Sequence, residues 1–284
     1  MINVRSFADM NRAVASSLSK LDRNEFDVIV GIPRSGMLPA TLLATFMQLP
    51  LADLESFAQG RIWARSGYLH NVKTKVRVLL VDDSSNRGGA MERAVARIKH
   101  LAGSITRYAV YGPYREDLSI IDIFAEECRG PRAFQWNMWK HKRMPRWGFD
   151  FDGVLCRDPT KAENDDGPNY LKFLRTVEPL HRPQGERPLG PIITGRLEKY
   201  RAECQDWLGR QGIAHGGLHM MPYASKAERM AAGGRGQWKA EKVKELGLEM
   251  FVESCPKQAR IIAREARVPV WCTATCEVFN APVE

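Results

Sequence analysis

Long hydrophobic runs are missing from this chain. The longest apolar stretch, Met37 to Leu51, is broken by Pro39, Gln48 and Pro50. It falls short of the ~20 apolar residues that a bilayer-spanning helix needs. The opening residues, Met1-Ile2-Asn3-Val4-Arg5-Ser6, lack an extended apolar core followed by a small-residue cleavage site, so a cytoplasmic location is expected. Cysteine is sparse, with six among 284 residues, and only Cys272 and Cys276 lie close together. With no second pair beside them, a four-cysteine zinc site is excluded and buried free thiols are expected. Acidic residues are in deficit: 33 against 42 basic ones, a net charge of +9. The deficit is uneven, with +7 over residues 1–144 and +2 over the remainder. A basic half suits nucleic acid, a small polyphosphate or an anionic lipid surface, and charge alone does not choose among them.

What is present is an alternation of short apolar runs with amphipathic stretches, the pattern of parallel α/β architecture. The first half predicts strands at 28–31, 76–81, 105–111 and 120–124, with helices over 37–47 and 88–101. Gln59 to Lys75 reads as a long polar loop carrying Arg61, Arg65, Ser66, Gly67, Tyr68, Lys73 and Lys75. The basic, aromatic segment 136–146 reads as a linker between a domain at 1–135 and another at 147–284. In the second domain strands are predicted at 147–151, 191–194, 217–221, 249–253 and 268–272. Helices are predicted near 168–177 and over 197–211, 236–246 and 256–266.

The sharpest local signal is Trp147-Gly148-Phe149-Asp150-Phe151-Asp152-Gly153-Val154. A hydrophobic strand leads into two acids one residue apart, then a glycine. Ligands collect at the carboxyl ends of strands in open α/β sheets, where this pair would stand. Two carboxylates on one side of a strand end can hold a hard cation and divide the work of nucleophile and proton shuttle. These residues resemble the DxDG motif of haloacid-dehalogenase-like (HAD) phosphatases. Ile192-Ile193-Thr194-Gly195-Arg196 is similar to that family's second motif, Lys239 to its third and Phe251-Val252-Glu253-Ser254 to its fourth. The resemblance implies Asp150 as nucleophile, Asp152 as proton donor and then base, Thr194 on the phosphoryl group and Lys239 as charge partner. It also implies Mg2+ held by Asp150, Asp152 and Glu253. Lys226 competes with Lys239 for the third role. Only 44 residues separate Asp150 from Thr194, leaving room for a minimal cap, with Glu163 to Gly167 as the exposed tip of a short flap.

In the first half, Val78 to Val81 runs into Asp82-Asp83-Ser84-Ser85-Asn86-Arg87-Gly88-Gly89. Adjacent carboxylates suit vicinal hydroxyls, and loop N–H groups before a helix form a phosphate cradle. This resembles the phosphoribosyl-pyrophosphate (PRPP) motif of type I phosphoribosyltransferases, and Arg34-Ser35-Gly36 is similar to their pyrophosphate loop. The resemblance implies PRPP binding by Arg34, Ser35, Gly36, Asp82, Asp83, Ser84, Ser85, Asn86, Arg87 and Gly88. The 59–75 segment would then be the mobile catalytic loop. The fold expected is two Rossmann-like three-layer α/β domains, a type I phosphoribosyltransferase fold followed by a HAD fold.

The combined layout is similar to bacterial ribofuranosyltransferase systems of polysaccharide synthesis. It implies transfer of 5-phosphoribosyl from PRPP to an acceptor, a glycan hydroxyl being preferred, with pyrophosphate release and then removal of the 5-phosphate. Asp83 is the candidate general base. Two alternatives stand: a nucleobase phosphoribosyltransferase coupled to a nucleotidase, and a PRPP-sensing RNA-binding regulator. No RNA-recognition signature accompanies the last, so nucleic acid is not an expected partner. A homo-oligomer is compatible with each reading.

Overall fold

The computed structural model describes residues 2–64, 66–72, 75–113, 120–180 and 187–280. It divides into two compact units, one spanning Phe7–Arg132 and one combining the first six residues with everything from Ala133 onward. Both are α/β, and both contain mixed sheets. The chain opens with β1 (Asn3–Arg5), which belongs to the second unit, and then builds the first.

The first unit begins with α1 (Phe7–Ser17), then β2 (Val28–Gly31), α2 (Met37–Met47), β3 (Leu51–Asp53) and α3 (Leu54–Ala58). There follow β4 (Arg61–Trp63), β5 (Leu69–Asn71), β6 (Val76–Ser84), α4 (Gly89–Ile98), β7 (Ala102–Gly112) and β8 (Ile123–Glu127). Among the described residues the sheet order is β5-β4-β3-β2-β6-β7-β8. Strands β3, β2, β6, β7 and β8 are parallel to one another. The apolar runs of β2 and β6 are buried on both faces, as central parallel strands must be. Val28, Val30, Val78 and Leu80 share a core with Met91, Ala94 and Ile98 of α4, while Ile29 and Leu79 are equally buried.

Part of the expected loop at 59–75 is an antiparallel hairpin, β4 pairing with β5. Its residues are largely exposed, so hydrophobic alternation gave no sign of it. Arg65 and Lys73 of that segment lie outside the described residues.

The second unit starts with β1, which forms a two-stranded sheet with β9 (Arg132–Phe134). Two short 3-10 turns follow, Gln135–Lys140 and Met144–Arg146. This is the segment expected as a linker. Met138 and Met144 instead enter the same core as Ile2, Val4 and Ala133, because apolar side chains interleave its basic ones. The main sheet comprises β10 (Trp147–Phe149), β11 (Ile192–Leu197), β12 (Leu218–Met221), β13 (Met250–Glu253), β14 (Val270–Cys272) and β15 (Glu277–Phe279). Helices α5 (Pro168–Thr176), α6 (Arg201–Arg210), α7 (Lys226–Ala232), α8 (Arg235–Glu245) and α9 (Pro256–Ala266) connect or precede these strands. The order is β12-β11-β10-β13-β14-β15, parallel except for β15.

Both sheets share one topological property. In the first, the chain moves outward from β2 to β3, then returns to lay β6 on the other side of β2. In the second, it moves from β10 to β11 and β12, then returns to lay β13 against β10. Each reversal opens a crevice beyond the carboxyl ends of the two strands that flank it. The first crevice lies between the loop after Gly31 and the end of β6. The second lies between Asp150 and Glu253.

Candidate functional sites

In the first unit, β2 leads into the loop Ile32–Gly36, and the Ile32 N–H donates to Val81 O at 2.9 Å. A Cβ on Gly36 would stand 2.5 Å from Ile32 O, 2.9 Å from Val81 O and 3.0 Å from Asp82 Cα. Glycine is therefore what lets this loop close against the strand that carries the acid pair. Arg34 is exposed on the loop and Ser35 partly so.

Asp82 and Asp83 are both buried, and Asp82 Oδ1 accepts the Asp83 N–H at 2.9 Å. Burial and the neighbouring Asp83 charge push the Asp82 carboxyl up to about 8. Ser84 ends β6. Ser85 is buried, and its N–H donates to Tyr111 O at 2.8 Å. Arg132, absent from the expected site, donates to Ser85 O at 2.8 Å and to Cys128 O at 3.2 Å. An arginine opening β9, 47 positions downstream of Ser85, gives no local signal of this.

Asn86 and Arg87 are exposed at the turn. Gly88 follows with φ +77° as N-cap of α4, and a Cβ there would lie 2.2 Å from Ile120 Cγ2. The first unit thus gathers, at one crevice, two buried acids and a turn opening a helix. Exposed Arg34 and Arg87 flank it, and neither makes an ion pair among the described residues.

The comparisons address this unit. Residues 3–111 match the phosphoribosyl transferase domain family model. The N-terminal part of the chain carries a type I phosphoribosyltransferase domain. An orotate phosphoribosyltransferase from Staphylothermus marinus is 27% identical over 101 residues, 36% of this chain and 49% of the relative. The chain thus spans about half the length of this curated relative. Similar solved structures include a purine phosphoribosyltransferase from Pyrococcus horikoshii, 22% identical, with TM-score 0.37, covering 47% of this chain and 92% of that one. Another is the Helicobacter pylori xanthine-guanine-hypoxanthine phosphoribosyltransferase, 15% identical, with TM-score 0.35, covering 48% and 93%. The family match ends at residue 111, so the second crevice lies outside it.

That crevice is a cavity of about 530 Å³ lined by Asp150, Asp152, Asp158, Gly195, Lys239 and Glu253, among others. Lys239 on α8 is fully buried, with its Nζ 2.7 Å from Asp150 Oδ2 and 2.6 Å from Glu253 Oε2. Lys226 goes elsewhere: its Nζ donates to Asn164 O and its N–H to Asp166 Oδ2 at 2.9 Å. Geometry thus brings Lys239, and not Lys226, to Asp150. Burial and the Glu253 charge raise the Asp150 carboxyl well above its ordinary value, and Lys239 offsets this only in part. Burial opposes the charge on Lys239, but Asp150 and Glu253 outweigh it and hold the ammonium protonated.

Asp152 faces a different partner. Arg196, whose side chain is fully buried, donates to it from Nη2 at 2.6 Å and from Nε at 3.2 Å to each oxygen. The guanidinium also packs over the Phe151 ring at 3.6 Å and reaches Cys156 and Cys204 Sγ at 3.2 and 3.3 Å. The turn is clamped from the neighbouring strands. Ser254 Oγ donates to Asp152 O at 3.1 Å, and Thr273 Oγ1 donates to Gly153 O at 2.9 Å. Gly153 has φ +72°, and a Cβ there would meet Ser254 Cβ at 2.3 Å. Thr194 lies beneath the cavity wall: it is buried, and its Oγ1 accepts the Arg196 N–H at 3.2 Å. Gly195 is the residue of that station which lines the cavity.

The expected metal trio of Asp150, Asp152 and Glu253 lines this one cavity, each acid already engaged by a basic side chain. Among the described residues no three His, Cys, Asp or Glu side chains group as a metal site. Arg196 occupies both Asp152 oxygens, and Glu253 accepts from Lys239 and from the Ser254 and Cys255 N–H groups, each at 3.0 Å. Glu253 is thus an ion-pair partner for Lys239. Charge still fits a hard cation, since two buried carboxylates share one ammonium. Magnesium needs only one or two carboxylates besides water, so Asp150 is the group that would hold it.

The acids expected at a flap tip have structural partners. Asp165 accepts the Gly167, Asn169 and Tyr170 N–H groups at the start of α5. Asp166 receives the Tyr200 hydroxyl at 2.8 Å, and Arg157 holds Glu163 down at about 2.

Proposed function

We propose that the chain is a bifunctional enzyme. Its first unit transfers 5-phosphoribosyl from PRPP to an acceptor and releases pyrophosphate. Its second unit, HAD-like with a minimal cap, removes the 5-phosphate to leave a ribofuranosyl group. The observation that carries this reading is the Asp150–Lys239–Glu253 triple at the switch point of the second sheet. A buried carboxylate beside a buried ammonium, open to a cavity, is what a phosphoryl-accepting nucleophile requires.

In the first unit, Asp82 and Asp83 would receive the ribose hydroxyls, and Ser84 to Gly88 would cradle the 5-phosphate. Arg34, with Ser35 and Gly36, would take the pyrophosphate, whose departure leaves an oxocarbenium-like ribose. Asp83 is the candidate base for an attacking hydroxyl. In the second unit, Asp150 attacks phosphorus as the bond to the sugar oxygen breaks, and Asp152 returns a proton to that oxygen. Water then attacks the aspartyl-phosphate, giving its proton to Asp152. Lys239 neutralises Asp150 and the incoming phosphate, while Thr194 fixes the loop that presents Gly195. Bound magnesium would add positive charge against the phosphoryl oxygens.

A glycan hydroxyl is the preferred acceptor, because stripping the phosphate from a nucleotide would undo salvage. The similarity to an orotate phosphoribosyltransferase favours a nucleobase acceptor as a second reading. The two differ in a simple assay, since a nucleobase product absorbs in the ultraviolet and a ribosylated glycan does not.

The division of labour is tested by two lesions assayed on PRPP with acceptor and on a supplied phosphoribosyl compound. Asp150→Asn should release pyrophosphate normally while phosphorylated ribosyl product accumulates. Asp82→Asn with Asp83→Asn should abolish pyrophosphate release and spare hydrolysis. Loss of both activities from either folded variant would refute two separate sites.

A further inference from the structure

Two arginines line the second cavity without any role in the reaction described above. Arg229, on α7, donates from Nη1 to Gly195 O at 2.6 Å, yet its Nε is buried without a hydrogen-bond partner. Arg235, at the start of α8, packs its Cδ 3.4 Å from where a Gly195 Cβ would be. Among the described residues neither guanidinium is within ion-pair distance of a carboxylate, whereas Arg196, which the same unit buries, is paired with Asp152. Burial and then the like charge of Arg235 work against the charge on Arg229, and outweigh the support from Tyr170, Asp166 and Asp152. The orphaned, buried donor of the half-buried Arg229 is costly unless an anion joins it, and the exposed Arg235 adds a second positive charge to the same cavity lining.

Asp150 and Lys239 already answer for one phosphate in this cavity. Its volume of about 530 Å³ is that of a whole small-molecule site and exceeds the needs of a lone phosphoryl group. We infer that Arg229 and Arg235 form a second anion subsite, so that the phosphatase substrate is a phosphomonoester bearing a further phosphate or carboxylate on its leaving group. The inference rests on the phosphatase reading and narrows it. If that substrate is the product of the transferase, the acceptor itself is acidic. An acidic sugar and an acidic nucleobase supply the same chemistry at this wall, and the ultraviolet assay separates them.

The test compares ribose 5-phosphate with ribose 1,5-bisphosphate in the full-length protein with magnesium. Charge-assisted hydrogen bonds from arginine to a phosphate should favour the bisphosphate in kcat/KM by about tenfold or more, expressed mainly in KM. Arg235→Gln and Arg229→Gln should each shrink that preference, and Arg235→Lys should restore part of it. The same ratio is read as binding, without turnover, by calorimetry on Asp150→Asn. Equal kcat/KM for the two substrates in the unaltered protein, or a preference untouched by both substitutions, would overturn the subsite. If neither compound is hydrolysed but the bisphosphate still binds more tightly in an arginine-dependent way, the subsite stands and the phosphatase reading falls. If neither binds, both fall.

Discussion

Lys239 Nζ stands 2.7 Å from Asp150 Oδ2, and both groups are withdrawn from solvent. The ammonium is shared, since Glu253 Oε2 lies 2.6 Å away on its other side. Three ionisable groups thus depend on one another, and burial together with the Glu253 charge raises the carboxyl assigned as nucleophile well above its ordinary value.

Removing the ammonium leaves two buried carboxylates facing each other. Breaking a buried pair from one side commonly costs about 3–5 kcal/mol. Lys239→Met should lower the stability of the second unit by that order in denaturant melts and abolish phosphatase turnover. Adding Glu253→Gln should recover much of the stability and none of the activity. Equal melting of the unaltered and Lys239→Met proteins would show that the triple is not a buried ionic unit.

Arg196 holds both oxygens of Asp152, fixing the carboxylate's orientation beside the cavity. In the second half-reaction Asp152 takes a proton from water. With p-nitrophenyl phosphate, whose leaving group needs no proton, Asp152→Asn should give a burst of nitrophenolate close to one per enzyme. Steady turnover should then fall by about 10²–10⁴. Burst and steady state falling together would assign Asp152 a purely structural part.

The raised carboxyl of Asp82 fixes a sign in the first unit. Its folded value, about 8, lies above the unfolded value, so between about 4 and 8 the folded state binds the extra proton. Stability should therefore decline as pH rises through that window and level off above it. Asp82→Asn removes the titration. It should flatten the slope in melts across pH 4–9 and stabilise the first unit most at the alkaline end. A parallel pH profile for the two proteins would contradict the assignment.

Much of this arrangement was legible in the sequence where burial is continuous. Val28 to Gly31 and Val78 to Val81 are apolar because they are enclosed on both faces, and the Arg34 loop after the first and the Asp82-Asp83 pair after the second mark the crevice. Lys239 and Lys226 compete in the sequence, and the fold separates them by bringing Lys239 to Asp150 and Lys226 to Asn164 O. The hairpin β4–β5 escaped notice because its exposed residues keep no alternation. The engagement of Glu253 with Lys239 and two backbone N–H groups left no trace in the sequence, because it depends on how α8 meets the end of β13. Arg196 drew no attention because arginine is almost never fully buried unless paired, and its partner lies 44 residues away. Arg132 and Arg229 share that difficulty, since contacts between elements distant in sequence leave no periodicity behind.

The first six residues carry a consequence for dissecting the molecule. Ile2 and Val4 fill the same apolar core as Met138, Met144 and Trp147, so the second unit is assembled from both sides of the Phe7–Arg132 insert. A fragment cut to begin at Ala133 would leave holes where two side chains belong and β9 without its neighbour. Excising the insert and joining Ser6 to Ala133 by a short tether keeps every piece of that core, which makes the deletion, and not the truncation, the faithful way to obtain the second unit alone.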